Sequence, residues 1–525
     1  MAFFTQPAGD LSAYCTDFCL NFCGFTDFMT AITRSTALYT AAQVRDLDSA
    51  FIATGVPAAA LMKRAGRAAF ELLCERYGEP DEITVFAGAG NNAGDGFVVA
   101  ALAAARRMPV NVVLMGEPEK FSDAARAAYE YARQEGVIMM PPGPAPTSGV
   151  IVDGLLGIGI NGEVRPEYRK VIEQINSTNL PVLALDIPSG LCADTGAELG
   201  VAIKADITVT FIGKKRGLFT GRGPALTGEL VFDDLGAPDD IYQSLAAEVT
   251  QQDFATLRGA LPEREADAHK GDFGHVMVIG GDVGHGGAAL MAAEAAARGG
   301  AGLVSLATRP EHVAAMLARQ PEVMACGVIS GQELEPWLAR PTVLVVGPGL
   351  GQSPWSEQML QQALATDLPL VLDADALNLI AKGRLWPAGI TRDNWLLTPH
   401  PGEAARLLGC ETTAIQAERF ASVQKLQQQY GGVALLKGAG TLVAGAGQPI
   451  NIISGGNPGM ASGGMGDVLS GLLGALLAQG LSAYDAANLG ASVHAHAADL
   501  AAADGGQVSL LATDIVGYIG EFLGD

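Results

Sequence analysis

Short apolar runs alternate with longer amphipathic stretches along most of the chain. In the first half, the apolar runs occupy residues 83–86, 110–115, 150–153, 181–186 and 207–211. An alanine-rich stretch from Gly96 to Arg107 follows the first run, and the apolar spacing between Tyr39 and Leu73 is helical. Strands that alternate with helices predict a mostly parallel sheet with right-handed crossovers.

A second series of the same kind fills the other half of the chain. Its apolar runs occupy residues 275–281, 302–307, 343–347, 369–375, 395–398 and 433–437. Each run ends in a cluster of Gly, Asp, Pro or His, and open α/β sheets bind their ligands at that edge. Because the acidic, proline-bearing region 233–248 separates the two series, we predict two three-layer α/β domains, at residues 36–245 and 250–525.

Composition supports this division and excludes some functions. A chain of 525 residues is too long for one ordinary core. Its 49% hydrophobic but only 6% aromatic content suits parallel sheets buried on both faces. A formal net charge of −23 argues against a nucleic-acid-binding surface, so any anion site must rely on backbone amides and a few lysines.

Cysteine usage and hydropathy bear on the compartment. The 7 cysteines are scattered and odd in number, which fits a reducing cytoplasm rather than a disulfide framework. No run approaches the roughly 20 apolar residues of a membrane span, and no basic segment of a secretory signal opens the chain. We therefore expect a cytoplasmic protein without a membrane partner.

Residues 1–35 stand apart from both series. We expect them to form a poorly ordered extension or to reflect a misassigned start, with translation beginning at Met29. Cys15, Cys19 and Cys23 would form one stripe on a helix, so a metal cluster is the alternative, although this is not the usual spacing of thiol ligands.

The segment from Asn457 to Asp467 is the most informative in the second half. Its small and glycine positions, among them Gly463, Gly464 and Gly466, allow backbone N–H groups to converge where an apolar helix begins, which predicts an anion site. A bound phosphate would repel Asp467 unless that carboxylate had a task, and the obvious task is to accept a proton from a hydroxyl during phosphoryl transfer.

Two nearby strand ends carry further polar groups. Lys437 is followed by a glycine turn and Thr441, which indicates a nucleotide-phosphate contact or, alternatively, a hairpin with a surface lysine. His400, between two prolines, is either a ligand-binding or a structural residue. His494 and His496 lie two positions apart on a helical run and point to different sides, so we interpret both as structural.

In the first half, the turn at residues 88–96 approaches a dinucleotide-binding fingerprint but places its third glycine one position late. It supplies Asn92 and Asp95, while Asp153, Asp186 and Ser189 follow other strands. Converging oxygens of this kind suit a hard cation of low charge. The alternative is that these aspartates are buried caps of helices.

These motifs resemble those of a known family. GAGNNAGDGF at 88–97, DGLLGIGINGEV at 153–164 and LDIPSGL at 185–191 resemble the NAD(P)H-hydrate epimerase domain, which is Rossmann-like. PHPGE at 399–403, KGAGT at 437–441 and GNPGMASGGMGDVLSG at 456–471 resemble the ribokinase-like, ADP-dependent NAD(P)H-hydrate dehydratase. Over roughly residues 36–525 the chain is therefore similar to the bifunctional NAD(P)H-hydrate repair enzymes.

The resemblance implies an epimerase site in the first domain. Asp186 is the implied acid or base, and the implied potassium ligands are Asn92, Asp153 and Ser189. The implied hydrate-binding residues are Asn91, Asn92, Ala93, Gly94, Asp95, Gly157, Ile158, Gly159, Ile160, Asn161, Gly162, Glu163 and Asp186.

For the second domain the resemblance implies a dehydratase site with Asp467 as the base. The implied hydrate-binding residues are Ala288, Gly351, His400 and Asp467, and the implied nucleotide-binding residues are Lys437, Gly438, Ala439, Gly440, Thr441 and Gly466. The hydrate's hydroxyl would attack the terminal phosphoryl group of ADP, and phosphate would then leave as the ring nitrogen's electrons restore the dihydropyridine. Mg²⁺ is expected to screen the phosphates.

Two other functions compete with this one. A vitamin-precursor kinase would explain the anion site but leave the first domain without a catalytic role, and a non-catalytic binding module would leave its polar residues unexplained. We expect small-molecule substrates (hydrated NADH and NADPH, with ADP), no nucleic-acid partner and a homo-oligomer.

Overall fold

The computed structural model describes residues 36–160, 162–245, 247–385, 389 and 391–524. The expectations for residues 1–35, including the cysteine stripe, and for Asn161 lie outside these residues. Within them, no helix is both long enough and apolar enough to cross a membrane.

The described strands fall into two sheets. They are β1 Ala37–Leu38, β2 Ile83–Ala87, β3 Val110–Leu114, β4 Ile138–Met140, β5 Val150–Gly154, β6 Val182–Leu185, β7 Ile207–Phe211, β8 Glu229–Asp233, β9 Val249–Thr250, β10 His275–Ile279, β11 Leu303–Thr308, β12 Met324–Gly327, β13 Val343–Val346, β14 Leu370–Leu372, β15 Trp395–Leu397, β16 Val433–Leu436, β17 Leu442–Gly445 and β18 Ile450–Ile452.

The α-helices mostly connect successive strands. They are α1 Ala41–Ala53, α2 Ala58–Tyr77, α3 Asn91–Ala105, α4 Asp123–Gln134, α5 Pro166–Asn176, α6 Gly223–Thr227, α7 Asp239–Gln243, α8 Phe254–Arg258, α9 Gly286–Arg298, α10 Val313–Arg319, α11 Gly331–Leu334, α12 Pro354–Leu364, α13 Ala374–Ala381, α14 Pro401–Leu408, α15 Thr412–Ala417, α16 Arg419–Tyr430, α17 Met465–Ala478, α18 Ala483–Gly505 and α19 Ala512–Leu523.

The first sheet has seven strands in the order β4-β3-β2-β5-β6-β7-β8, all parallel. Successive residues of its central strands enter different cores: Val150 and Val152 belong to one hydrophobic cluster, whereas Ile151 belongs to another. Both faces are therefore covered, as parallel sheets require. The predicted three-layer α/β architecture is confirmed for this half.

The second sheet has eleven strands in the order β1-β9-β18-β17-β16-β15-β14-β13-β10-β11-β12. It is parallel from β12 to β16, and β16, β17 and β18 then pair antiparallel. Alternate residues of β10 again divide between two cores, because Met277 and Ile279 pack on one side and Val276 and Val278 on the other. The three-layer prediction is confirmed here as well.

Two features differ from the simplest interpretation of the sequence. The helical pattern between Tyr39 and Leu73 divides into α1 and α2, because Gly55 has a φ of 102° and Pro57 is extended. In addition, β1 pairs with β9 at the edge of the second sheet, although it precedes the first sheet in the chain. The segment before α1 thus ties the two halves together.

Candidate functional site

A cavity of about 770 Å³ opens at the carboxyl ends of the first sheet's strands. It includes the N-terminus of α3, where Gly90 is the cap and no side chain caps the helix. Free N–H groups at such an end attract phosphate. Of the residues implied by the resemblance, the cavity is lined by Asn91, Asn92, Asp95, Gly157, Ile158, Gly159, Ile160, Glu163 and Asp186.

Three other residues implied for hydrate binding do not line this cavity. Ala93 is fully buried, and Gly94 faces α2, because a Cβ there would lie 2.4 Å from the Met62 sulfur, so neither residue offers a side chain to the cavity. Gly162 is exposed and has a φ of 82°. The structure thus brings most of the implied set together, but not all of it.

A cluster of oxygen atoms lies beneath the cavity. The Ser189 hydroxyl and backbone N–H donate to the two Asp153 carboxylate oxygens at 2.6 and 2.8 Å, and the Leu156 N–H donates to Ser189 Oγ at 2.8 Å. Asn92 Nδ2 donates to the Leu156 carbonyl at 3.2 Å. Asn92 Oδ1 is buried and has no hydrogen-bond partner within the described residues.

Asp153 is a carboxyl group in an unfavourable environment for its charge. It is fully buried, and this burial raises its pKa to about 6, although the Ser189 hydrogen bonds oppose the shift. An added cation would stabilise its charged form. The three predicted potassium ligands therefore share one buried, oxygen-rich pocket.

Asp186 and Lys215 form an ion pair in the wall of the cavity. Asp186 has a φ of 65°, which is unusual for a residue other than glycine, and its carboxylate also accepts from the Phe211 N–H at 3.1 Å. Lys215 is fully buried and donates to Thr210 Oγ1 at 3.0 Å and to the Phe211 carbonyl at 3.1 Å. Strained backbone at a buried charge pair is typical of functional sites.

The charge of this ammonium also acts on two further carboxyl groups. Burial raises the pKa of Asp48 to about 6, with Lys215 opposing the shift and Asp186 adding to it. Burial, followed by repulsion from Asp186 and Asp48, holds the pKa of Asp95 well above its usual range. Sequence analysis did not single out Lys215 or Asp48.

The second site lies where α17 begins. Gly464 caps this helix with a φ of 94°, and no side chain caps its N–H groups. Asp467 stands in the first turn, next to these free donors. A Cβ on Gly466 would lie 3.1 Å from Lys437 Nζ and 3.3 Å from Asp373 Oδ2. The two sequence motifs thus meet at one place.

Lys437 is held by a buried carboxylate. Its Nζ donates to Asp373 Oδ1 at 2.7 Å, and Ser470 Oγ donates to Asp373 Oδ2 at 2.8 Å. Burial opposes the charged form of Lys437, but Asp373 and Glu403 outweigh this effect and raise its pKa. Lys437 is therefore a fixed cation inside the site. β16 and β17 do form the hairpin of the alternative interpretation, but the Lys437 side chain is only 20% exposed and is paired with Asp373, so it is not a surface lysine. Asp373 is a third residue whose role sequence analysis missed.

Asp467 is poised to exchange a proton near neutral pH. Burial raises its pKa to about 7; Asp373, Glu403 and Asp375 add to the shift, and Lys437 opposes it. Glu403 also has a pKa raised to about 7 by burial, again against Lys437. A carboxyl group tuned to this range is suited to general base catalysis.

The other residues implied for hydrate binding lie on neighbouring elements of the second domain. A Cβ on Gly349 would lie 3.1 Å from Ala288 Cβ, and the Gly351 N–H donates to Asp375 at 3.0 Å. The half-exposed His400 caps α14, and burial, Lys437 and Arg406 lower its pKa, so its ring is neutral at physiological pH. His400 thus offers a neutral ring beside Glu403.

The histidine pair of α18 behaves differently. Burial, with Lys437 adding to it, lowers the pKa of His494 to about 4, and within the described part of the chain its buried Nε2 has no hydrogen-bond partner. His496 packs between Phe254 and Phe522, with ring centroids 5.3 and 5.7 Å away. Their packing agrees with the structural interpretation.

Two family models match the chain. One, described as NAD(P)H-hydrate dehydratase, matches residues 276–521, and the other, described as YjeF-related protein N-terminus, matches residues 58–217.

Among solved structures, a ribokinase-like superfamily protein from Enterococcus faecalis is 29% identical, with a TM-score of 0.48, and the match covers 53% of this chain and 98% of that chain. An ADP/ATP-dependent NAD(P)H-hydrate dehydratase from Bacillus subtilis, co-crystallised with ATP and Mg²⁺, is 26% identical, with a TM-score of 0.46 and coverage of 52% and 96%.

Full-length relatives are more similar. The bifunctional NAD(P)H-hydrate repair enzyme of Coxiella burnetii is 47% identical over 486 residues, which are 92% of this chain and 99% of the relative. The Escherichia coli enzyme of the same description is 44% identical over 87% of each chain. The family predicted from the motifs is therefore confirmed: the chain belongs to the bifunctional NAD(P)H-hydrate repair enzymes.

Proposed function

We propose that this protein repairs hydrated NADH and NADPH. Its first domain interconverts the R and S hydrates, and its second domain dehydrates the S hydrate at the expense of ADP, releasing AMP, phosphate and NAD(P)H. The observation that carries the proposal is the meeting of Asp467, Lys437 and the free N–H groups of α17 at one point. A base, a cation and an anion-binding helix end are what phosphoryl transfer to a hydroxyl requires.

In the dehydratase step, Asp467 accepts the proton of the hydrate's hydroxyl while that oxygen bonds to the β-phosphorus of ADP. The bond from the β-phosphorus to the bridging oxygen breaks, and AMP leaves. The ring C–O bond of the phosphate ester then breaks with assistance from the nitrogen lone pair, phosphate departs, and loss of a proton from the neighbouring carbon restores the double bond. Lys437 and the α17 amides stabilise the charge that develops on the phosphoryl oxygens.

The charges around Asp467 also fit a divalent cation that accompanies the nucleotide. Asp373, Glu403 and Asp375 each raise the pKa of Asp467, so negative potential surrounds the ammonium of Lys437. We propose that Mg²⁺ binds with the ADP phosphates on this acidic side, where it would neutralise phosphate charge. Asp373 itself is committed to Lys437 and Ser470 and acts as their positioning residue.

In the epimerase site, the Asp186 carboxylate can take a proton and the Lys215 ammonium can give one. Departure of the protonated hydroxyl leaves a ring cation that the nitrogen stabilises, and water that adds to the other face yields the other epimer. The pair of opposite charges supplies the acid and the base for these two half-reactions. Most other implied residues line the cavity around this pair.

We also propose potassium at the Asn92, Asp153 and Ser189 cluster. Support comes from the chemistry of the donors: a buried carboxylate, a hydroxyl and the unpartnered Asn92 Oδ1 are all oxygen ligands. A monovalent cation would supply positive charge to Asp153, whose burial otherwise disfavours ionisation. The cluster would thereby fix the adjoining loop at Leu156 and Gly157, which lines the cavity.

One assay tests the whole proposal. The protein is incubated with mixed hydrate epimers, alone and with each nucleotide, and recovery of reduced-nicotinamide absorbance is followed together with AMP. We expect complete recovery with ADP and none without a nucleotide. A phosphorylated product that accumulates and persists would instead identify a small-molecule kinase, and no turnover with any nucleotide would contradict both functions.

The same assay with potassium replaced by a bulky organic cation tests the proposed metal. Epimerisation should slow while dehydration of the S hydrate continues, because the oxygen cluster belongs to the first domain only. Equal epimerisation rates in both buffers would remove potassium from the site.

The pH dependence of dehydration follows from Asp467. Only its carboxylate form can accept a proton, and its pKa is raised to about 7, so kcat/KM should rise with pH and level off above about 7. Below that value the rate should fall about tenfold per pH unit. Glu403→Gln is the matched control, because Glu403 has a similarly raised pKa. If kcat/KM of Glu403→Gln no longer falls at low pH, the titrating group is Glu403 and not Asp467.

The compartment, the oligomeric state and the partners of the enzyme stay predictions. We propose that it acts in the cytoplasm on small molecules, as a homo-oligomer, without a nucleic-acid or membrane partner. Its charge of −23 supports the exclusion of nucleic acids.

A further inference from the structure

A threonine from the first domain contacts the loop that we assign to ADP. Thr220 is fully buried, and its Oγ1 lies 3.0 Å from the Gly440 carbonyl and 3.2 Å from the Ala439 carbonyl. The next residue, Gly221, donates its N–H to the Ala439 carbonyl at 3.1 Å. The nucleotide loop, residues 437–441, is therefore hydrogen-bonded on one side by the epimerase domain.

A buried arginine completes this contact. Arg419 is 1% exposed, and its Nε donates to Thr220 Oγ1 at 3.0 Å. Its Nη2 donates to the carbonyls of Leu436, Lys437 and Gly440 at 3.3–3.4 Å. Arg419 thus binds carbonyls at both ends of the nucleotide loop, and the Thr220 hydroxyl accepts the hydrogen bond from Arg419 Nε.

These bonds determine where the loop's N–H groups point. Within one peptide unit, the C=O group and the N–H group of the next residue point in opposite directions. Because Thr220 and Arg419 bind carbonyls of the loop, the N–H groups that follow these carbonyls point away from Thr220 and Arg419. The N–H groups that follow the bound carbonyls of Ala439 and Gly440 belong to Gly440 and Thr441, and within the described part of the chain neither donates to an acceptor. Free, oriented N–H groups of this kind bind anions.

The first domain also fixes the residue type in the loop. Gly440 has a φ of 61°, and a Cβ there would lie 1.9 Å from the Phe219 carbonyl oxygen. Only glycine fits so close to the neighbouring backbone. The Phe219 backbone of the first domain and Gly440 of the nucleotide loop thus pack directly against each other.

We infer that Thr220, a residue of the epimerase domain, is a positioning residue for ADP in the dehydratase site. It orients the nucleotide loop through Arg419 and the carbonyls of Ala439 and Gly440. The inference rests on the proposed function, because it assumes that the nucleotide loop binds ADP. The fused epimerase domain thereby contributes to the affinity of the dehydratase site for ADP.

The test compares Thr220→Val with Thr220→Ser in the full chain. The valine variant removes the hydroxyl and keeps the shape, so KM for ADP should rise about tenfold while kcat at saturating ADP and the epimerase rate stay within about twofold of wild type. The serine variant keeps the hydroxyl and should restore KM. Calorimetric titration with ADP measures the same loss as weaker binding.

Thr227→Val is the matched control. Thr227 is also a buried threonine of the first domain, and its hydroxyl donates to the Gly223 carbonyl at 2.8 Å. It should lose thermal stability without a change in KM. An unchanged KM for ADP in Thr220→Val, or an equal rise in Thr227→Val, would overturn the inference. Should the valine variant not fold, Thr220→Ala and Thr220→Ser are compared in the same way.

The failure of this inference and that of the proposed function remain distinguishable. If wild-type protein neither binds ADP nor dehydrates the hydrate, the proposed function fails. If Lys437→Ala weakens ADP binding but Thr220→Val does not, the nucleotide loop stands and only the role of Thr220 fails.

Discussion

Replacement of Asp467 by asparagine is expected to lower AMP formation by about a thousandfold or more, while ADP still binds. Asparagine has the same shape but cannot accept the hydroxyl proton, and a positioned general base contributes about 10²–10⁴ in rate. Removal of one negative charge beside Lys437 and the α17 amides should leave ADP affinity equal or higher. Single-turnover AMP release and calorimetric titration measure the two effects separately.

The control for this variant is Asp485→Asn. Asp485 also stands in the first turn of a helix, α18, but it is exposed, and its carboxylate accepts from the hydroxyl of its own cap, Ser482. The change should leave both activities at the wild-type level. AMP formation by Asp467→Asn above about a tenth of wild type would disprove the role of Asp467 as the base, because loss of a catalytic proton acceptor costs at least about 10².

The architecture could be predicted from the sequence because its signal is local. The run at 207–211 coincides with β7, and the run at 433–437 extends only one residue beyond β16. Each run is apolar at successive positions since both sheet faces are covered, a pattern that needs no knowledge of the partner strands. By contrast, the pairing of β1 with β9 joins residues far apart in sequence, and two residues carry no such pattern.

Residues of the two candidate sites could be predicted from the sequence only where they belong to a recognisable motif. Asp467 and Lys437 belong to separate motifs that were placed together by resemblance, and the structure confirms that the motifs meet. Asp373 follows β14 directly, so its position at the ligand-binding edge was also available from the sequence, but its pairing with Lys437, 64 residues away, was not. Lys215 follows the end of β7, where parallel sheets bind ligands, so that position was an available signal. Asp48 lies within α1, away from any strand end, and nothing in the sequence indicated it.

Replacement of Asp186 by asparagine should abolish interconversion of the hydrate epimers without unfolding the protein. Asp186 has a φ of 65°, and asparagine adopts this left-handed conformation more readily than most residues do. The variant therefore keeps the backbone and the hydrogen bond from the Phe211 N–H, and loses only the charge that pairs with Lys215. We expect the epimerisation rate to fall by about 10²–10⁴.

The fused dehydratase makes this loss directly visible. With mixed hydrates and ADP, absorbance in Asp186→Asn should recover only to the fraction that began as the S epimer, and then rise at the slow spontaneous rate. Asp194→Asn is the control, since Asp194 accepts from the Ala41 N–H at 2.6 Å outside the cavity. If Asp186→Asn recovers all the absorbance at the wild-type rate, neither Asp186 nor its pairing with Lys215 takes part in the proton transfer. Partial recovery that ends at the S fraction excludes a purely structural role, because the dehydratase in the same chain reports that the protein is folded.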